Sequence, residues 1–478
     1  MATHLVWFRL DLRIEDNLAL AAACRDPDAR VMAVFIVTPR QWQQHHMAPR
    51  QHWWIEQHVR GLHQALAARQ IPLHCITASD YRDGTHRLVA FCRQHRVDRL
   101  FYNYQYEVNE RDRDAQLEHL LAGQVVCQGF DDSVLLAPGS ITTGSGGMYK
   151  VFTPFSRACL QRLRVDVPYP VAAPGGRQGH LPQPVAPPLP FSAPSQPVDG
   201  QLFAPGEAAA RERLTVFCQQ RLADYPGARD YPALDGVSGL SPWLAIGALS
   251  PRQCLHQALL AQPDALSGGP GLVWVTELLW REFYRHLLVA WPDLCRHRPF
   301  IPWTDNIVWS RDQTRLKAWQ SGHTGYPIVD AAMRQLNHTG WMHNRLRMIS
   351  ASFLVKDLLI DWRAGERYFI STLVDGDLAA NNGGWQWSAS TGTDAAPYFR
   401  IFNPTTQGAR FDPEGVFIRR WLPELAHVPG SEVHQPWRWA QQQGVTLDYP
   451  PPIVEHKLAR AATLEAYQAA RQPTGEAQ

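Results

Sequence analysis

The sequence predicts two architectures on one chain: an N-terminal doubly wound parallel α/β domain and, beyond a proline-rich linker, a larger all-helical C-terminal domain. Three observations predict this. Short apolar runs alternate with helical stretches through the first 130 residues, ten prolines fall within residues 168–200, and helical periodicity without convincing strand alternation dominates residues 207–372. Repeated β-then-α spacing builds a parallel sheet covered by crossover helices. A chain of 478 residues allows roughly three units at about 150 residues each. The boundaries are placed at 1–135, 136–205 and 206–478.

In chain order, residues 4–8, 31–38, 71–78, 99–104 and 125–130 read as strands, with helices such as 50–69 and 86–95 between them. Doubly wound sheets bind ligands outside the carboxyl ends of their strands. No GxGxxG follows the first strand and no GxxxxGKS/T occurs, which argues against a dinucleotide or triphosphate at the usual loop. Residues 168–200 lack a helical period and read as a long surface connection. The last helical pattern is 458–471.

Composition narrows the function classes. The chain is 45% hydrophobic and 19% charged, as soluble globular proteins are. Apolar stretches such as 18–24 and 272–280 are too short to span a bilayer, and the N-terminus offers no secretory segment. No CxxC occurs among the eight cysteines, so they read as ordinary buried thiols in a reducing cytoplasm. The formal net charge of +2 gives no global field for nucleic acid, leaving room only for a local patch. Of 46 basic residues only Lys150, Lys317, Lys356 and Lys457 are lysines; codon bias accounts for most of this, though a guanidinium fork also suits phosphate. Tryptophan is the outlier: 18, of which 14 lie beyond residue 200. That much aromatic area points to a planar ligand or stacked bases.

Four segments carry candidate chemistry. In GVSGLSPW (236–243), Ser241 before Pro242 reads as an N-cap with proline at the first helical position. Small residues before it permit phosphate to approach free N–H groups, although for these residues alone a plain capped helix is the favoured reading. Trp274, Glu277 and Arg281 share one helical face beside Trp280; a surface Glu277–Arg281 pair is an equal reading. Trp341, Asn344 and Met348 likewise align on one face, flanked by Arg345 and Arg347. Asp375 and Asp377 lead through Asn381 and glycines, which permit close approach, to Trp385 and Trp387. A calcium loop is disfavoured because Gln386 stands where an EF-hand needs glutamate.

WFRLDLRIEDN, TGYPIVDAAMRQLNHTGWMHNRLRM and DGDLAANNGGWQW resemble the photolyase/cryptochrome family, specifically its bacterial class I cyclobutane pyrimidine dimer DNA photolyases, over residues 3–471. The resemblance implies an antenna-binding α/β domain joined by a long linker to a helical FAD-binding domain. It places FAD at Tyr225, Ser238, Leu240, Ser241, Trp274, Arg281, Trp341, Asn344, Arg347, Asp375, Asp377 and Asn381. The flipped-out dimer would meet Glu277, Trp280, Asn344, Met348 and Trp387. Trp309, Trp362 and Trp385 match an electron-relay chain, outermost first; Trp362 lies in 356–363, which reads as a helix end. Arg229, Arg345 and Arg400 match DNA-phosphate positions. A 5,10-methenyltetrahydrofolate antenna would lie at His45, Asn109, Glu110, Cys295 and Arg296.

Two departures stand out. The family's phosphate loop reads TSxLS with a basic third residue, where this chain has Val237 and Gly239. Arg296 stands where close bacterial relatives have lysine. The implied reaction is light-dependent repair of cyclobutane dimers in ultraviolet-damaged DNA by electron transfer from excited reduced FAD, by a monomer in the bacterial cytoplasm without metal or membrane. Asn381 would support the flavin near N5, Arg347 and Asp375 would balance charge beside its ring, and a protonated Glu277 would donate to a thymine carbonyl. The alternative is a cryptochrome-like blue-light photoreceptor without repair; Asn381 and Met348 favour repair. A plain electron-transfer flavoprotein would leave the DNA-facing arginines without a purpose.

Overall fold

The computed structural model describes residues 1–176 and 191–471. The chain forms two compact units: Met1–Ala223, Ser238–Pro292 and Val374–Asp377 in the first, and Asp224–Val237, Asp293–Leu373 and Leu378–Gln478 in the second.

The first unit is built on five parallel strands, β1 (Thr3–Phe8), β2 (Arg30–Val37), β3 (Leu73–Thr77), β4 (Arg99–Asn103) and β5 (Val126–Phe130), in the order β3-β2-β1-β4-β5. Each agrees with its expected run to within two residues. Every residue of β1 is buried, as a central strand covered on both faces requires. Leu5, Trp7, Met32, Val34, Leu100 and Tyr102 pack there against Leu88 and Leu117 of the flanking helices Tyr81–Gln94 and Val108–Leu121. Strand order reverses between β1 and β4. There Asn103 donates to Asp11 Oδ2 at 2.7 Å, and Arg9 pairs with Asp114 at 2.7 Å.

A buried ionic cluster explains why 238–292 belongs to this unit. Arg13 Nη2 lies 2.6 Å from Asp132 Oδ2, and Arg252 Nη2 lies 2.8 Å from Asp132 Oδ1. Arg252 Nε reaches Asp16 at 3.0 Å, and Arg13 Nη1 donates to the Gly247 carbonyl at 2.9 Å. Within this unit, helix Gly269–Ala290 carries the Trp274 segment.

The second unit is helical. Helices Pro327–Thr339, Asn344–Ser352, Trp362–Ile370 and Leu378–Ala389 enclose a core containing Trp319, Met333, Leu346, Leu354, Trp362 and Trp385. Helix His456–Arg471 seats Tyr467 beside Ile307.

Four local expectations need correction. Ser241 is not the N-cap: that place falls to Leu240, no side-chain cap bond forms, and the helix Ser241–Ala245 is only five residues long. Trp341 lies before its helix, not on a face with Asn344 and Met348. Gly340, at φ 75°, ends the preceding helix, and His343 Nδ1 caps the next one by accepting from Arg345 N at 3.1 Å. Trp362 begins a helix instead of ending one, because Asp361 accepts from Arg363 N and caps it. The cysteines are not uniformly buried: Cys92, Cys159, Cys218 and Cys254 are, whereas Cys75 is exposed and Cys24, Cys127 and Cys295 are intermediate.

The 168–200 connection has neither helix nor strand in 168–176 and 191–200; residues 177–190 lie outside those described. Among the described residues no helix is long and apolar enough to cross a membrane.

Candidate cofactor and substrate site

Each unit supplies its own set of candidate residues. In the first, helix Gly269–Ala290 places Trp274, Glu277 and Arg281 on one side, as their spacing predicts. Trp274 is buried and tilted against Phe217, with ring centroids 5.1 Å apart. Glu277 is half-buried. Trp280 stacks face to face on Phe152 at 3.6 Å and 8°, so one of its two faces is fixed by packing. Arg281 donates to the Ser133 carbonyl at 2.6 Å. Burial and the neighbouring Arg285 charge push its guanidinium down to about 10.

Sequence reasoning missed Glu282 and Arg285 on this helix, although Arg285 stands one turn from Arg281 and that spacing was readable. Glu282 accepts from Leu135 N at 2.9 Å, and burial lifts its carboxyl to about 7 against the pull of Arg281. Arg285 pairs with Asp377. Asp375 is buried on the same short segment, which Gln51 holds by donating to the Gly376 carbonyl at 2.6 Å. Ser238 and Leu240 precede the Ser241–Ala245 helix; Leu240 is buried, and the Ser238 carbonyl accepts from Arg213 Nε at 2.8 Å.

The structure brings three of the antenna candidates together in this unit, beyond the carboxyl ends of β2 and β4. His45 Nε2 is 3.0 Å from Asn109 Nδ2 and 2.9 Å from Gln41 Nε2. Its Nδ1 faces Glu110 at 3.8 Å, and the Tyr81 hydroxyl donates to Glu110 at 2.6 Å. The other two, Cys295 and Arg296, belong to the second unit, where Arg296 is exposed and pairs with Asp293 at 3.0 Å.

In the second unit, Tyr225 is buried beneath Arg229, whose guanidinium lies 5.3 Å from the ring. Asn344 and Met348 sit one turn apart on helix Asn344–Ser352, with Asn344 exposed. Arg347 Nε donates to the Met342 carbonyl at 2.8 Å. Arg345 pairs with Asp230 at 2.7 Å and rests over Phe411 at 4.5 Å, whereas Arg400 is exposed.

Helix Leu378–Ala389 carries Asn381, Trp385 and Trp387. Asn381 donates to the Glu366 carbonyl at 2.9 Å. Asn382 donates to Glu366 Oε1 at 2.9 Å, and His297 lies 2.8 Å from Oε2. That buried Glu366 anchor carried no sequence signal. A side chain at Gly384 would meet nothing within 4 Å, so this helix keeps an open face. Trp387 is half-buried.

The relay candidates also lie in this unit. A parallel bridge joins Ser310 to Ile360, setting the Trp309 and Trp362 segments side by side. A Cβ on Gly365 would lie 2.1 Å from Trp385 Cη2, so the helix begun by Trp362 rests directly on the Trp385 ring. Trp362 and Trp385 are buried, while half-buried Trp309 meets Tyr467 edge-on at 6.1 Å. Trp319, which sequence reasoning did not single out, lies 6.0 Å from Trp385.

Residues 4–174 match the family model described as DNA photolyase, and residues 274–469 match the FAD binding domain of DNA photolyase. The chain is 61% identical to the deoxyribodipyrimidine photo-lyase of Salmonella typhimurium, covering 98% of this chain and 99% of that one. The chain belongs to the DNA photolyase family. The Escherichia coli deoxyribodipyrimidine photo-lyase is also 61% identical, with the same coverage. A class III photolyase structure from Agrobacterium tumefaciens superposes with a TM-score of 0.87 at 35% identity, over 98% of each chain. A Synechocystis cryptochrome structure reaches 0.85 at 30% identity, over 98% of this chain and 99% of that one. As a photolyase, the chain is a FAD-dependent lyase of light-driven DNA repair.

The residues present suit that cofactor. Arg281 and the buried Arg285 stand one turn apart, and although Arg285 Nη2 pairs with Asp377, its Nη1 is buried with no hydrogen-bond partner among the described residues. A donor so placed favours a polyanion such as a dinucleotide's diphosphate. The open face at Gly384 beside Asn381 leaves room for a planar ring close to the backbone.

Proposed function

We propose that this chain splits cyclobutane pyrimidine dimers in ultraviolet-damaged DNA, holding FAD at Tyr225, Ser238, Leu240, Ser241, Trp274, Arg281, Trp341, Asn344, Arg347, Asp375, Asp377 and Asn381. The observation that carries this reading is the 61% identity over nearly the whole chain to curated photo-lyases. The cryptochrome alternative has a neighbour of the same fold at only 30% identity. A bound and reduced FAD would supply the light-driven one-electron chemistry that dimer cleavage needs.

The protein's own residues position and polarise. Asn381, its amide nitrogen held by the Glu366 carbonyl, would support the flavin near N5. Arg347 and Asp375 balance charge beside that ring. Glu277 donates a hydrogen bond to a pyrimidine carbonyl where negative charge develops. Asn344 and Met348 line the dimer pocket, and Trp280 and Trp387 wall it. Extruding a dimer costs less than extruding normal bases because it stacks and pairs poorly. The antenna reading assigns a folate to His45, Asn109, Glu110, Cys295 and Arg296. The same proposal places a metal-free monomer in the bacterial cytoplasm, associated with the nucleoid when bound to damage, and keeps the functional partition at 1–135, 136–205 and 206–478.

The deciding experiment measures loss of dimers from irradiated DNA in light and in darkness. Light-dependent loss is expected; none under either condition rejects repair.

Two further outcomes follow from the proposed DNA face. Trp280→Ala and Trp387→Ala should each weaken binding to dimer-containing DNA by about 1–3 kcal/mol, the usual worth of a stacked base. Binding to undamaged duplex should hardly change, and equal losses on both DNAs would reveal a packing role instead. Removing the arginine at 229, 345 or 400 should lower the log–log salt slope of binding by about 0.9 for each phosphate that is no longer neutralised. Asp230 already neutralises part of the Arg345 charge, so that change should be the smallest. A wild-type slope near zero would defeat the assignment.

A further inference from the structure

Gly239 lacks the basic side chain that the resembling phosphate loop carries, yet the space is filled. It sits at φ 62°, and a Cβ built there would lie 2.3 Å from Arg213 Nη2 and 3.0 Å from Arg213 Cζ. Arg213 arrives from helix Glu207–Gln220. Its Nε donates to the Ser238 carbonyl at 2.8 Å and its Nη1 to the Leu202 carbonyl at 3.2 Å. Phe203 and Trp243 flank the guanidinium, their centroids 5.5 Å and 5.8 Å away. Two backbone carbonyls and two rings therefore fix a cation against the loop, at the point where a side chain on residue 239 would begin.

We propose that Arg213 is a FAD-binding residue, which supplies to the cofactor's diphosphate the positive charge that position 239 does not. The charge is delivered from another element of the first unit, and glycine at 239 is what admits it. Arg213, as Ser238 and Leu202 hold it, competes with any side chain at 239 for the same space. A guanidinium so held also loses less freedom on meeting phosphate than an unrestrained one. This inference rests on reading residues 238–241 as part of the FAD site.

The test measures FAD dissociation constants on apo-protein across salt concentrations, with the melting temperature of each apo-variant as a check of folding. Arg213→Gln should weaken FAD binding about tenfold at low salt, and the deficit should shrink at high salt as screening sets in. Arg213→Lys, keeping charge without the fork, should fall between. Gly239→Arg alone should bind FAD no better than wild type, whereas combined with Arg213→Gln it should recover most of the loss. An Arg213→Gln protein that binds FAD like wild type overturns the proposal. So does a salt-independent deficit that Gly239→Arg leaves unrepaired, since that marks a support for the loop. Ser241→Asp separates the premise from the inference. If it leaves affinity unchanged, residues 238–241 are not at the diphosphate and both readings fall. If it weakens binding while Arg213→Gln does not, only the Arg213 assignment falls.

Discussion

Phenylalanine at Trp362 should abolish light-driven reduction of oxidised FAD by an external reductant, while enzyme reduced in the dark still repairs. Phenylalanine preserves most of the packing volume of this buried ring, but it is far harder to oxidise. The bridge between Ser310 and Ile360 beside Trp309, and the seat of Trp385 on Gly365, support the order Trp309, Trp362, Trp385 from surface to cofactor. Trp309→Phe should have the same effect. Trp319 provides the control, because it also lies beside Trp385, at 6.0 Å. Flavin absorbance followed under blue light reads the result. If Trp362→Phe photoreduces at the wild-type rate and Trp319→Phe does not, the electron travels through Trp319 and the assignment is wrong.

The largest expected loss of stability is at Asp132. Its carboxylate is fully buried between Arg13 and Arg252, at 2.6 and 2.8 Å, and also accepts from Leu18 N at 3.1 Å. Asp132→Asn keeps the shape but deprives buried Arg13 of its carboxylate and leaves Arg252 with Asp16 alone, a loss of about 3–5 kcal/mol for breaking such a pair. Chemical denaturation measures it, and a loss under about 1 kcal/mol, the worth of a surface pair, would refute the role. Burial by itself raises this carboxyl, but the two arginines outweigh it and hold the value below the ordinary one. With the folded value depressed, the contribution is present above the unfolded carboxylate range and lost as pH falls through the folded value. Wild type should therefore lose more stability on acidification than Asp132→Asn does.

Much of the fold was legible because its signals are local. The inner strands β1, β2 and β4 show as apolar runs because they are buried along nearly their whole length, whereas the edge strands β3 and β5 are partly exposed. The face shared by Trp274, Glu277 and Arg281 follows from helical spacing alone. The cofactor reading came from motif resemblance, and the residues it named could be given roles only because their chemistry suits a flavin and damaged bases.

Where the sequence misled, a cap or a competing interaction decided the outcome. Ser241 looked like an N-cap from its type and the following proline, but Leu240 occupies that position. The spacing of Trp341, Asn344 and Met348 fits one helical face, but Gly340 and His343 end one helix and begin the next on either side of Trp341. The segment 356–363 reads as a helix end from its apolar run, but Asp361 caps a new helix that begins at Trp362.

Sequence by itself determined the parallel sheet, the helical character of the remainder, the family and its cofactor, all encoded in contiguous periods and motifs. Only tertiary structure decided that segment 238–292 packs with the sheet, through charges as far apart as Arg13 and Arg252. It also decided that Glu366 holds Asn381 and that Arg213 covers Gly239. These partners lie apart along the chain, and a polar group finds its partner by distance in space, about which sequence spacing is silent.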